Sequence, residues 1–232
     1  MTEHTIEALC QRSRDISLEK GWLNEDGTDP RPFHTVIGLF HSELSEAFEE
    51  IRSNRNLDEI YYEVKFKESD GSTSKEIVSS ADIESARKTE GKYGRGRDFL
   101  DAKPCGIPIE FADYVIRVAQ YAGSAHRAAE IAGLVESVQT AAKGQVQTED
   151  AEEFIGLMHL DASMALLLQR SPQVAIPLRT LGLPTTPYQY LAASIWSLFA
   201  FCEKKGIDLW KAIDEKEAYN RTRSIRHGGK KM

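Results

Sequence analysis

The sequence has few cysteines and no long apolar run, and both absences narrow what the chain can be. Its three cysteines, Cys10, Cys105 and Cys202, are far apart and form no Cys-x-x-Cys motif. We therefore expect neither a disulfide framework nor a zinc site, but reduced thiols in a cytoplasmic protein. No apolar segment approaches the roughly 20 residues that a membrane-spanning helix requires. Residues 1–15 also lack the apolar core of a secretory signal.

Positive charge is also in short supply. The chain has 36 Asp and Glu residues against 29 Lys and Arg residues, which gives a formal net charge of −7. A basic field over the whole surface, of the kind that grips nucleic acid, is therefore excluded, and only a local basic patch could exist. We expect no stable nucleic-acid partner and no membrane partner. The length of 232 residues allows one large domain or two small ones.

Most of the sequence has the apolar spacing of amphipathic helices. This spacing predicts helices over residues 6–20, 35–52, 108–123, 125–143, 150–169, 187–205 and 208–224. Pro108 suits the first turn of the third helix, and Asp208, two residues after Gly206, suits the N-cap of the last. The fold class is therefore predicted to be mainly α, in the form of a helical bundle.

Residues 55–103 interrupt the helical pattern. Within them, residues 61–67 alternate between apolar and polar side chains as a strand does, and an Asp-Gly turn signal follows. Residues 75–79 could form the returning strand. The pattern predicts a small β-hairpin-like insertion near residues 60–80.

The same insertion contains a basic, glycine-rich stretch at residues 91–97. One interpretation is a solvated surface loop with no binding role. The other is a lid that brings Lys92, Arg95 or Arg97 to a phosphate group. The sequence leaves both interpretations open.

Residues 155–170 repeat part of residues 37–52 at an offset of 118, with seven of sixteen positions identical. This echo predicts a degenerate tandem duplication. Four acids of the first copy differ in the second, and only one of the four replacements is an acid: Glu43 becomes Asp161, Glu46 becomes Met164, Glu49 becomes Leu167 and Glu50 becomes Leu168. We therefore predict one working site per chain. It belongs to a half spanning residues 1–124, and the degenerate half, 125–232, carries a basic C-terminal helix and tail and could pack with it as one domain.

Two acid pairs, Glu43 with Glu46 and Glu110 with Asp113, have i, i+3 spacing, which puts both members on one helix face. Each pair lies among apolar neighbours, so two packed amphipathic helices would bring four carboxylates to the edge of a core. Bare carboxylates this close repel one another, and a divalent cation relieves the repulsion. Oxygen ligands without Cys or His favour Mg²⁺, with Mn²⁺ as a substitute. The alternative is that both pairs are ordinary solvated helix faces.

The C-terminal segment carries the complementary charge. Lys216, Asn220 and Arg223 follow at i, i+4 and i+7 on one helix face, with Tyr219 beside them, and a His-Gly-Gly-Lys-Lys string occupies residues 227–231. This strip could bind phosphate groups. It could equally be a set of cations that complement the C-terminal end of the helix dipole.

These strings resemble the MazG-like superfamily of all-α nucleoside triphosphate pyrophosphohydrolases, in particular its phage and bacterial branch. The superfamily is marked by Glu-x-x-Glu on one helix and Glu-x-x-Asp on the next, which residues 43–46 and 110–113 match. The wider strings are His-Ser-Glu-Leu-Ser-Glu-Ala at 41–47, Gly-Ile-Pro-Ile-Glu-Phe-Ala-Asp at 106–113, Lys-x-x-Tyr-Asn-x-Thr-Arg at 216–223 and His-Gly-Gly-Lys at 227–230. Lys20-Gly21-Trp22 is similar to a segment ahead of the first acid helix. The resemblance covers the chain up to about residue 123 and about its last 25 residues.

The sequence departs from the family pattern in three places. The insertion at 55–103 separates the two acid motifs more widely than in compact members, and residues 125–205 are additional. Some members carry a further acid just before the first motif glutamate, where this chain has Ser42. That last departure leaves the group that activates water undecided.

The resemblance implies a MazG-like bundle that hydrolyses nucleoside triphosphates between the α and β phosphates, as nucleotide-pool house-cleaning. Its metal ligands would be Glu43, Glu46, Glu110 and Asp113, holding Mg²⁺. Glu50, which is i+4 from Glu46, is the preferred general base, with Glu49 as the alternative. The resemblance assigns substrate binding to Lys216, Tyr219, Asn220 and Arg223, and Trp22 could stack on the base.

Family members commonly assemble as helical dimers or dimers of dimers, so a homodimer is expected. The preferred base and sugar stay undecided by the sequence. Two other function classes stay open: a non-catalytic nucleotide-binding or regulatory module, and a purely structural helical interaction protein. The first would bind nucleotide without turnover, and the second would not respond to Mg²⁺.

Overall fold

The computed structural model describes residues 3–94, 96–142, 148 and 150–225. The chain is mainly helical, with a small sheet inserted in its first half. The helices are α1 (Ile6–Glu19), α2 (Phe33–Arg52), α3 (Ile83–Arg87), α4 (Ile107–Ser124), α5 (Ala128–Ala142), α6 (Ala151–Arg170), α7 (Ala175–Thr180), α8 (Pro187–Lys204) and α9 (Leu209–Thr222). The strands are β1 (Tyr61–Lys67), β2 (Thr73–Ser79) and β3 (Asp98–Cys105).

The helix predictions are confirmed with shifted ends. The predicted helix from residue 125 begins instead at Ala128, because His126 takes a left-handed φ of 55° that ends α4. The N-cap role of Asp208 is confirmed, since its carboxylate accepts a hydrogen bond of 2.9 Å from the Lys211 backbone N–H. The short helix α7 was not predicted, because its six residues include Pro177 and are too few for a periodic pattern.

The helices pack in two groups. Helix α4 packs against α1, α2 and α9, while α8 packs against α5 and α6. The two groups meet where α1 touches α5 and α2 touches α6. One continuous apolar core contains residues from both groups, and within it the Phe154 and Phe201 rings stack with centroids 4.1 Å apart. This packing fixes α2 beside α4, and with them the two acid motifs.

The insertion is a three-stranded antiparallel sheet of order β2-β1-β3. The predicted hairpin corresponds to β1 and β2, whereas β3 was not predicted. Side chains of the central strand form a separate small core, in which Val64 and Phe66 pack against Val78 and Tyr93. Strand β3 pairs with β1 and leads directly into α4, so the sheet is anchored next to the second acid motif.

Gly106 joins β3 to α4 and has to be glycine. Its φ is +110°, and a Cβ built there would lie 2.2 Å from the Glu59 carbonyl oxygen. Only a residue without a side chain fits this close approach. The glycine therefore sets where α4 begins, and Glu110 follows in the first turn of that helix.

Within the described part of the chain, no helix is both long and apolar enough to cross a membrane. The longest apolar candidate in the sequence, residues 190–202, lies within α8 and packs into the core through Leu191, Ile195 and Leu198.

Candidate functional site

Three acidic side chains from two helices converge. Glu43 and Glu46 of α2 and Glu110 of α4 each offer a carboxylate oxygen, and these oxygens lie within 4.8 Å of one another. Glu43 and Glu110 are buried, whereas Glu46 is exposed. The cause is the packing of α2 along α4, which also brings the Phe40 and Tyr114 rings edge to face at 5.7 Å.

Burial makes the negative charge of these carboxylates costly. Desolvation raises the pKa of Glu43 to about 7, against the opposing effect of Arg117, and the nearby Asp113 and Glu46 raise it further. Desolvation likewise raises the pKa of Glu110 to about 8, although Lys216 acts in the opposite direction. Without a cation, burial therefore favours the protonated form of both carboxyls.

The fourth predicted ligand, Asp113, lies beside the other three but is held differently. Its Oδ2 is 2.7 Å from Nζ of Lys216, which is only 3% exposed. Burial alone would raise the pKa of Asp113, but Lys216 and Arg117 hold it below its ordinary value. Arg117 also donates from Nε to Oε1 of Glu43 at 2.6 Å. The structure thus brings all four acids to one region, with three sharing a position for an ion and Asp113 bound to lysine.

A cavity of 620 Å³ adjoins the acids, which is within the usual size range of small-molecule sites. Its walls come from α1, α2, α4, α9 and β3. Glu43, Glu46 and Asp113 are among its lining residues. The lining also includes these cationic side chains: Lys20, Arg31, Lys103, Arg117, Lys216 and Arg223. An anionic ligand bound together with a metal cation would therefore meet carboxylates that suit the cation and cationic side chains that suit its own charge.

The predicted substrate-binding residues divide into two groups. Lys216, Asn220, Arg223 and Trp22 line the cavity. Tyr219 is not among the lining residues; its hydroxyl donates to Asp101 at 3.4 Å, and the Arg223 guanidinium lies 5.6 Å from its ring centroid. The predicted tail at residues 227–231 lies outside the described residues.

The two candidate bases, Glu49 and Glu50, do not line the cavity. Glu49 lies on the surface and pairs with Arg52 at 2.8 Å. Glu50 accepts a hydrogen bond of 2.8 Å from the Tyr61 hydroxyl. The first residue of β1 therefore contacts Glu50 on α2, one turn beyond Glu46.

The proposed lid cations are engaged inside the insertion. Lys92 pairs with Asp82 at 3.0 Å, and Arg97 pairs with Glu76 at 2.7 Å while its guanidinium lies 4.1 Å from the Phe66 ring centroid. Neither of them lines the cavity. Arg95 lies outside the described residues.

Comparison with known proteins adds no relative. No family model, no curated protein and no solved structure matches this chain.

Several lining residues were not singled out from the sequence. The spacing of Arg117 could have identified it as a site residue, because it lies i+4 from Asp113 and i+7 from Glu110 on the same face of α4. Lys103 had none, since its position depends on the pairing of β3 with β1. The neutral residues Ser13 and Gln120 also line the cavity and have no local signature.

Proposed function

We propose that the chain is a Mg²⁺-dependent, MazG-like pyrophosphohydrolase, which converts (deoxy)nucleoside triphosphates into monophosphate and pyrophosphate. The observation that carries the proposal is the convergence of the Glu43, Glu46 and Glu110 carboxylates within 4.8 Å, next to a cavity with cationic walls. Metal-assisted hydrolysis of a phosphoanhydride needs both features. The carboxylates hold the metal cation, and the cationic side chains balance the negative charge of the phosphates.

The donor set fits a hard divalent cation. All three groups offer oxygen, and thiol or imidazole ligands are absent from this set, which favours Mg²⁺ or Mn²⁺. The raised pKa values of Glu43 and Glu110 show how costly their charges are without one. When bound, Mg²⁺ supplies stabilisation of charge on phosphate oxygens and lowers the pKa of an attacking water.

The side chains of the chain itself would hold the phosphates. Arg223 suits bidentate contact with phosphate oxygens, and Asn220 adds a neutral donor on the same face of α9. Lys103 contributes a cation from β3, on a different wall. Lys216 is positioned by Asp113, so its ammonium stays at the boundary between the acids and the cations. These groups would orient the triphosphate with its charge toward the acid cluster.

The position of Glu50 bears on which group removes the proton from water. A general base contributes about 10²- to 10⁴-fold to rate. Because Glu50 accepts from Tyr61 and does not line the cavity, we expect Glu50→Gln to lower kcat by much less than Glu46→Gln does. Steady-state kinetics of both variants with one triphosphate measure the difference. If the two variants lost kcat to the same large extent, the result would instead support Glu50 as the general base.

We further propose that the two helix groups arose by tandem duplication. Helices α2 and α6 each have 20 residues, and α4 and α8 each have 18. The echoed histidines, His41 and His159, stack on each other with centroids 4.9 Å apart where α2 meets α6. The equal lengths and this meeting of equivalent residues support the duplication.

The duplication, if aligned in this way, leaves a single acid site. The positions equivalent to Glu43, Glu46, Glu110 and Asp113 are occupied by Asp161, Met164, Tyr190 and Ala193. Burial raises the pKa of the remaining acid, Asp161, to about 6. One carboxyl cannot replace four, so we expect one functional site per chain.

Substrate profiling tests the proposed function. The purified chain would be incubated with Mg²⁺ and a panel of (d)NTPs, and the products would be identified by chromatography. We expect monophosphate and pyrophosphate in equal amounts, and no turnover after chelation of the metal. Release of orthophosphate would contradict the proposal. Binding of a nonhydrolysable triphosphate without any turnover would favour a non-catalytic nucleotide-binding module instead.

A further inference from the structure

Arg117 lies where the acid cluster meets the cavity. It belongs to α4 and follows Asp113 by four residues and Glu110 by seven, so all three lie on one face of that helix. Its Nε donates to Oε1 of Glu43, on α2, at 2.6 Å. Arg117 also lines the cavity, as Glu43, Glu46 and Asp113 do. The arginine therefore contacts one of the three carboxylates that share the ion position, and it also borders the space that a ligand would fill.

The guanidinium of Arg117 uses only part of its hydrogen-bonding capacity. Its Nε is bound to Glu43, but Nη1 and Nη2 have no hydrogen-bond partner among the described residues. Neither nitrogen is one of the enclosed side-chain atoms that lack a partner in the described part of the chain, so both keep accessible surface. The side chain of Arg117 is 30% exposed, whereas that of Glu43 is 4% exposed. The guanidinium therefore reaches from a buried acid to the open cavity.

Two other cationic residues of the cavity wall are more fully engaged. Arg31 donates from both Nε and Nη2 to the carboxylate of Asp29, at 2.7 and 2.6 Å, and its side chain is 8% exposed. Lys216 is 3% exposed, and its Nζ lies 2.7 Å from Asp113. Arg117 differs from both, because it combines a bond to an acid of the cluster with donors that remain open to the cavity.

Arg117 and Glu43 each have enough bonding sites to serve two partners at once. Arginine has five N–H donors in a planar fork and stays charged, so the bond to Glu43 leaves the four N–H groups of Nη1 and Nη2. Two parallel N–H donors of this kind match the oxygens of a phosphate group. A carboxylate has about four lone-pair sites, so Glu43 can accept from Arg117 and bind an ion together. Metal-binding carboxylates are commonly hydrogen-bonded in this way.

We propose that Arg117 binds a phosphate group of the substrate beside the ion, while its Nε holds Glu43 in place as an ion ligand. The inference rests on the proposed function for the triphosphate and for Mg²⁺, and it deepens that function by adding a substrate contact on α4. The bond to Glu43 orients the guanidinium before the ligand arrives, which reduces the conformational entropy that binding costs. Phosphate oxygens at the ion would therefore meet a cation whose donors are already in place.

The alternative role for Arg117 is that of a counter-ion for Glu43, without contact to the substrate. The two roles predict different effects once Mg²⁺ saturates the site. The ion would neutralise Glu43 in place of the arginine, so a residue that acted only as a counter-ion could be removed without loss of phosphate affinity. Removal of a phosphate-binding residue would weaken the ligand even then, because its charge and its N–H donors would be lost.

Calorimetry with inorganic tripolyphosphate at saturating Mg²⁺ distinguishes these roles without requiring turnover. Arg117→Met removes the charge and the donors but keeps an unbranched side chain. It should weaken tripolyphosphate binding at least about tenfold, the effect of roughly one charge-assisted hydrogen bond. Arg117→Lys should have intermediate affinity, because a single ammonium keeps the charge but lacks the fork. Arg179→Met, at an exposed position of α7, is the matched control and should bind tripolyphosphate as the wild type does.

The outcomes separate this inference from the proposed function. Wild-type affinity in Arg117→Met overturns the phosphate role and leaves the proposed hydrolysis standing. The expected loss of affinity, in a chain that hydrolyses no triphosphate, overturns the hydrolysis and leaves the phosphate role standing. If the wild type binds no tripolyphosphate, both are overturned. If circular dichroism shows that Arg117→Met does not fold, Arg117→Lys is measured in its place, and wild-type affinity in that variant would overturn the phosphate role.

Discussion

Glu110→Gln is expected to abolish turnover and to remove the stabilisation that Mg²⁺ gives the chain, while the fold persists. Glutamine keeps the size of the side chain and imitates the protonated carboxyl that burial favours in the metal-free state. It cannot supply the charge that a hard cation requires. Loss of several kcal/mol of metal-dependent stabilisation of the transition state corresponds to about 10³-fold or more in kcat.

Thermal unfolding with and without Mg²⁺ checks this expectation together with the kinetic assay. A ligand present at 100 times its Kd adds about 2.7 kcal/mol of stability, so the wild-type melting temperature should rise with the metal. Glu203→Gln, at an exposed position of α8, should behave like the wild type. If Mg²⁺ raised the melting temperature of Glu110→Gln as much as that of the wild type, the ion would bind at another place on the chain.

The same variant should change how metal-free stability depends on pH. The pKa of Glu110 is raised from 4.5 to about 8, so the folded chain holds this proton more tightly than the unfolded chain does. Its contribution to stability is fully present below pH 4.5 and is lost as the pH rises toward 8, at about 1.4 kcal/mol per unit. Glu110→Gln should flatten this decline, as measured by urea unfolding in chelator.

The acid motifs could be predicted because their information is local. A spacing of three residues on an amphipathic helix fixes a shared face, and the burial of Phe40 and Leu44 orients α2 toward α4. The four acids therefore reach one region as the sequence predicts. The helix periodicity also located α1, α6, α8 and α9 to within a few residues.

The partners of the acids could not be predicted, because they depend on distant contacts. Lys216 reaches Asp113 only through the packing of α9 on α4, and Tyr61, the first residue of β1, reaches Glu50 from eleven residues along the chain. Strand β3 contains Pro104 and little alternation, so its pairing with β1 alone makes it a strand. The family resemblance assigned Lys216 to substrate binding, whereas its partner in the fold is the carboxylate of Asp113.

Two neutral residues of the cavity wall could not be predicted for a different reason. Serine and glutamine within amphipathic helices ordinarily face solvent or bond to the backbone, so Ser13 and Gln120 carry no sequence signal. Only the packing of α1 against α4 places both of them at the cavity wall.

Lys216→Met is expected to be the most destabilising of the site substitutions in metal-free protein. The lysine is 3% exposed and lies 2.7 Å from Asp113, so its removal leaves a buried carboxylate without its cation. Breaking a buried pair in this way costs about 3–5 kcal/mol. Lys211→Met, at an exposed position of the same helix, should change stability by less than about 0.5 kcal/mol. Urea unfolding in chelator compares the two.

Addition of Mg²⁺ and a second substitution identify the cause of that loss. With Lys216 absent, the acid cluster is more negative, so Mg²⁺ should raise the stability of Lys216→Met more than that of the wild type. Asp113→Asn in the same chain should recover part of the loss, because the unpaired charge is then removed and the two effects are not additive. A double variant as unstable as the sum of the single variants would assign the cost to the packing of α9 rather than to the ion pair. Such a result would leave Lys216 free to bind phosphate without acting as a counter-ion for Asp113.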